Sequence, residues 1–95
     1  MATERQISQT IERCVAAMVR YHDRARSPEA DVRMITEVQV VAGFVEELGL
    51  AIGEIGERIV RPVEDELVGR YGREDGPRLA ARFVGAFEIM GPERR

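Results

Sequence analysis

Hydrophobic residues recur every three or four positions along most of this chain, which is the spacing of an amphipathic α-helix. The first stripe of this kind consists of Ile7, Ile11, Cys14, Met18, Tyr21 and Ala25. Thr3 and Gln6 form a possible capping box before it, and arginines near its end complement the negative end of the helix dipole. The pattern predicts a first helix over residues 4–25.

A second, longer helix is predicted over residues 28–60. Ser27-Pro28-Glu29 supplies an N-cap residue, a proline at the first helical position and an acid in the first turn. The stripe that follows consists of Val38, Val41, Val45, Leu48, Ile52, Ile55 and Ile59. It keeps its register through several glycines, which favours one continuous helix. Residues 32–41 also alternate apolar and polar in a β-prone manner, so a strand there is the alternative.

Two shorter helices are predicted at the C-terminal end, over residues 62–71 and 77–90. Pro62 should end or kink the long helix, and Gly72 is a plausible C-cap for the third. Arg73-Glu74-Asp75-Gly76 should form a loop before the last helix. The predicted fold is a single all-α domain, in which an antiparallel hairpin of two long helices is joined by two shorter C-terminal helices.

Four glycines in the second predicted helix suggest how such a fold could assemble. A glycine inside a helix costs about 1 kcal/mol relative to alanine, so closer packing should compensate for it. Gly49 and Gly56 fall beside the apolar seam, whereas Gly43 and Gly53 fall outside it, where they could bend the helix or contact a second partner on its outer face. The alternative is that Gly53 and Gly56 mark fraying of the helix before Pro62. The first helix is too short to cover the second. We therefore expect a homodimer or larger homo-oligomer whose interface includes Leu48, Gly49, Ile52, Ile55 and Gly56.

Composition narrows the cellular context. The 95 residues are 44% hydrophobic with a net charge of −3, which fits a globular protein and gives no general attraction to nucleic acid or lipid. All basic residues are arginine, a bias expected of a GC-rich bacterial or phage genome. One cysteine and the lack of a signal or membrane-spanning pattern predict a cytoplasmic protein.

Candidate chemistry is sparse in this sequence. Cys14 lies in the first apolar stripe and is expected to be a small buried hydrophobe, and His22 is expected to be exposed among arginines that would repel a metal ion. The two residues lie too far apart on one helix to act as a dyad. No Glu-x-x-His motif supports a di-iron site. We therefore expect no catalytic, metal or cofactor site, and a role in assembly or protein–protein interaction, with itself or with another protein.

Two alternatives remain open at this point. Arg20, Arg24 and Arg26 form a small basic patch, and a dimer carrying two such patches could be a DNA-binding regulator, although the basic footprint is small. Separately, Tyr71-Gly72-Arg73-Glu74-Asp75 has the Tyr-x-x-x-acid spacing that resembles the C-terminal signal of small WXG-type secreted helical hairpins. The Trp-x-Gly turn of those proteins is absent here. That resemblance would imply a secreted helical hairpin.

Overall fold

The computed structural model describes residues 2–89, which form helices joined by short turns. The helices are α1 (Glu4–Asp23), α2 (Pro28–Glu46), α3 (Ile52–Ile55) and α4 (Arg61–Ile89), and a π-helical turn, Gly56–Val60, joins α3 to α4. Within this range there is no strand, so the all-α prediction is confirmed. Residues 32–41 are helical, and the strand alternative is wrong.

Local capping chemistry fixes where the first two helices begin. The Gln6 backbone N–H donates to the Thr3 hydroxyl at 3.1 Å, and the Thr3 N–H donates to the Gln6 side chain at 2.9 Å. At the start of α2, the Ala30 N–H donates to the Ser27 hydroxyl at 3.1 Å, and Pro28 occupies the first helical position. Both predicted starts are confirmed, because these side chains satisfy N–H groups that have no partner inside the helix.

The prediction of one long helix over residues 28–60 is wrong, because α2 ends at Glu46. A turn follows, in which Gly49 has a φ of +74°, a left-handed conformation that favours glycine. The chain becomes helical again at Ile52, where the Glu54 side chain accepts a hydrogen bond from the Ala51 N–H at 3.0 Å. Leu48 and Ile55 still pack on one apolar cluster, so the stripe keeps its register although the helix is interrupted.

The C-terminal helices also differ from the prediction. The chain is helical on both sides of Pro62, which therefore does not end a helix. The break lies at Gly72, where φ is +84° and ψ is −171°, and residues 73–76 are helical rather than a loop. Gly72 does end one helical segment, as predicted. The predicted helix end at residue 90 lies outside the described residues.

Two apolar clusters make up the core. The larger one joins α1, α2 and α4, and its most buried members include Cys14, Met18, Val38, Leu67 and Phe83. The smaller one consists of Ile7, Val45 and Ile59, with partly buried neighbours. Cys14 is fully buried, as the stripe predicts. None of the helices within residues 2–89 combines the length and the apolar composition needed to cross a bilayer.

Candidate functional site

The five residues predicted to form an interface do not share one environment. Leu48 and Ile55 are partly buried against the smaller apolar cluster of their own chain. Ile52 is 71% exposed, and Gly49 and Gly56 are also exposed. A Cβ atom added to either glycine would meet nothing within 4 Å. Close packing within the chain therefore does not explain these two glycines.

A second exposed surface, which is mainly apolar, lies on α2. We call it the α2 outer face, and it consists of Val32, Arg33, Thr36, Val40, Gly43 and Phe44. Val32 is 63% exposed, Val40 56% and Phe44 49%. These three side chains recur at multiples of four residues, so they form a row along one side of the helix.

The polar groups near this row are largely satisfied within the chain. The Thr36 hydroxyl donates to the Val32 carbonyl oxygen at 2.8 Å, so it does not need a partner from outside. The Arg13 guanidinium carbon lies 5.8 Å from the centre of the Phe44 ring, which covers one edge of the row. The residues at the centre of the α2 outer face, Thr36, Val40 and Gly43, carry no charge, and the neighbouring Glu37 is paired with Arg20 and Arg24.

The three arginines of the basic patch predicted near the end of α1 have different partners in the structure. Arg20 Nε lies 3.4 Å from Glu37 Oε1, and Arg24 Nη2 lies 3.6 Å from Glu37 Oε2. One carboxylate therefore offsets two of the three arginines. Arg26 has no ion-pair partner in the described part of the chain.

Arg24 and Arg26 instead belong to a cleft of about 200 Å³ between the end of α1 and the second half of α4. We call it the His22 cleft, and its lining residues are Tyr21, His22, Arg24, Arg26, Asp75, Arg78 and Leu79. The α1 residues and the loop after them are neighbours in sequence. The α4 residues reach the same place because the chain turns at Gly72 and packs back on α1.

His22 is held against α4 by stacking and by a carboxylate. Its ring lies 4.2 Å from the Tyr71 ring, centre to centre, and its Nε2 atom lies 3.8 Å from Asp75 Oδ2. The side chain is still 36% exposed, in line with the predicted exposed position. Its contacts with Tyr71 and Asp75 were not predicted, because they join residues about 50 positions apart in the chain.

Tyr21 forms a rigid wall of the cleft. Its hydroxyl donates to Asp31 Oδ1 at 2.7 Å, and Arg82 Nη1 lies 3.8 Å from the same oxygen. Burial, followed by this hydrogen bond, raises the pKa of Tyr21 above its ordinary value. The phenol therefore keeps its proton, and with it this hydrogen bond, further into the alkaline range than an exposed tyrosine does.

The structure of residues 2–89 offers neither a reactive thiol nor a metal-binding cluster. Burial raises the pKa of the Cys14 thiol to about 12, so the reactive thiolate is not formed near neutral pH. No group of three or more histidine, cysteine or carboxylate side chains in this range could hold a metal ion. Comparison of the chain with protein-family models, with curated proteins and with solved structures found no match.

Proposed function

We propose that this chain is a non-enzymatic helical assembly module that binds a second copy of itself through the α2 outer face. The observation that carries the proposal is the row of exposed apolar side chains, Val32, Val40 and Phe44, beside an uncharged centre. Single exposed apolar residues are common on protein surfaces, but an aligned set is typical of an interaction site.

Charge placement favours a second copy in antiparallel orientation. Arg33, Val40 and Glu47 are spaced seven residues apart, two helical turns, and therefore lie on the same side. In an antiparallel contact centred on Val40, each Arg33 faces Glu47 of the other copy. A parallel contact would place like charges together, which costs affinity. Within the described residues neither Arg33 nor Glu47 has an ion-pair partner.

Gly43 gains an explanation from the same contact. It lies within α2 beside Val40, where a glycine costs about 1 kcal/mol relative to alanine. A Cβ atom added there would meet nothing in its own chain. A second helix could therefore approach the backbone closely at Gly43, and the added dispersion contacts would offset the cost.

The contact should be weak. The row from Val32 to Phe44 is about 18 Å long at 1.5 Å per residue. A single helix face of this length buries less than the roughly 800 Å² per partner that is usual for a stable interface. We therefore expect dissociation constants on the order of micromolar or weaker.

Two aspartate substitutions locate the interface. Val40→Asp should weaken self-association at least about tenfold, because two carboxylates would meet at the centre of the contact. Ile52→Asp is the matched control, since Ile52 is 71% exposed but lies outside the α2 outer face. Sedimentation velocity from micromolar to millimolar concentration measures both. The reverse result would move the interface to residues 48–56, and a wild-type monomer throughout this range would refute self-association.

A charge exchange determines the orientation. Arg33→Glu and Glu47→Arg should each weaken association about threefold to tenfold, and the double variant should restore it. The two rim pairs are related by symmetry, so each single substitution creates two repulsive contacts. Equal association of the wild type, the two single variants and the double variant would contradict the antiparallel arrangement. It would not affect the conclusion drawn from Val40→Asp.

A further inference from the structure

The His22 cleft gathers positive charge from two distant parts of the chain. Arg24 and Arg26 reach it from the loop after α1, and Arg78 reaches it from the second half of α4. One carboxylate, Asp75, lies in the wall, 3.6 Å from Arg78. Glu37 also pairs with Arg24, and Asp23 lies 3.6 Å from His22 Nδ1, so the positive charge that has no ion-pair partner in the described residues is that of Arg26.

The guanidinium of Arg24 is only partly hydrogen-bonded. Its Nη2 atom pairs with Glu37, but its Nη1 atom is buried and has no hydrogen-bond partner in the described protein. A buried N–H group without an acceptor is destabilising. Arg24 lines the cleft, so an anion bound there lies close to this guanidinium, although the Nη1 atom itself has no exposed surface.

We propose that the His22 cleft binds a doubly charged phosphate group. Arginine matches this ligand because its planar guanidinium donates two parallel hydrogen bonds to neighbouring oxygens. A phosphate dianion brings two charges and several acceptor oxygens to Arg26 and Arg78, whereas a carboxylate brings one charge and two oxygens. Inorganic phosphate and a phosphate monoester share this chemistry.

The size of the cleft restricts the ligand further. Its volume of about 200 Å³ is below the roughly 300 to 1,000 Å³ of pockets that enclose drug-sized molecules. The cleft thus suits the phosphate group itself, with the rest of any ester outside.

A titration of the full chain with inorganic phosphate at constant ionic strength tests the proposal. Binding is measured from the ¹H–¹⁵N NMR resonances of the backbone and of the arginine side chains. Arg26→Gln and Arg78→Gln should each weaken binding at least about fivefold, since each removes a charged donor. Arg5→Gln is the control, because Arg5 is exposed in the first turn of α1 and outside the cleft. Arg26 lies in an exposed loop, so its substitution should leave the fold intact. Equal binding by Arg26→Gln and Arg5→Gln would overturn the proposal.

Other anions identify the source of the phosphate. Acetate should bind at least about tenfold more weakly than phosphate, because it carries one charge. Tighter binding of phenyl phosphate than of inorganic phosphate would indicate a monoester ligand, and equal binding would indicate phosphate itself. Binding of duplex DNA that is weakened by Arg20→Gln would instead mark a nucleic-acid surface, since Arg20 does not line the cleft. That result, or equal binding of acetate, would refute a dianion site.

Discussion

Replacing Gly76 by alanine should lower the free energy of unfolding by about 3 kcal/mol, at the upper end of the range for overpacked cores. Gly76 is buried where the two segments of α4 meet. A Cβ atom there would lie 2.5 Å from the Val68 Cα atom and 3.1 Å from the Leu67 carbonyl oxygen. Both are backbone atoms, so no side-chain rotation can relieve the overlap, and one helical segment has to move.

Gly85→Ala provides the matched control for this prediction. Gly85 lies in the same helix, is exposed, and has nothing within 4 Å of an added Cβ atom. Alanine should therefore stabilise the protein there by about 0.5 to 1 kcal/mol through helix propensity. Urea unfolding followed by far-ultraviolet circular dichroism measures both variants. If Gly76→Ala were as stable as Gly85→Ala, the close approach of the two segments at Gly76 would be wrong.

Gly72 and Gly76 act together in this bend. Gly72 turns the chain through a backbone conformation that is essentially restricted to glycine, with φ of +84° and ψ of −171°. Gly76, four residues later, then allows the following segment to lie directly on the backbone of the preceding one. The bend also positions Asp75 and Arg78 beside the end of α1, so the His22 cleft depends on it.

The sequence predicted the features that depend on neighbouring residues. The starts of α1 and α2 were identified because the residues that mark each start lie close together in the sequence, at Thr3 and Gln6 and at Ser27-Pro28-Glu29. The apolar period identified Cys14 as a core residue for the same local reason. These features need no knowledge of what the helix packs against.

The errors arose where distant contacts or backbone conformation decide the structure. A glycine with positive φ, such as Gly49, cannot be distinguished by sequence spacing from a helical glycine such as Gly43. The apolar stripe did not indicate the interruption of the helix, because Leu48 and Ile55 pack on the same cluster from separate segments. Likewise, Arg26 and Arg78 line one cleft only because α4 folds back on α1.

The core position of Cys14 makes stability depend on pH in the alkaline range. The pKa of a thiol is 9.0 in the unfolded reference and about 12 for the buried Cys14 thiol, because burial disfavours the thiolate. Between these values the unfolded chain releases a proton that the folded chain retains. The free energy of unfolding should therefore fall by about 1.4 kcal/mol per pH unit from pH 9 upward.

Cys14→Ala isolates this contribution, since every other titrating group remains in the variant. At pH 7 the variant should be less stable than the wild type by about 1 kcal/mol, because a fully buried side chain becomes smaller. As the pH rises the wild type loses this advantage, so the two stabilities should cross near pH 10 and the variant should be the more stable protein at pH 11. Urea unfolding at pH 7, 9, 10 and 11 follows the difference. Parallel curves without a crossing would mean that the folded protein ionises Cys14 as readily as the unfolded chain does, and that the thiol is not enclosed by α1, α2 and α4.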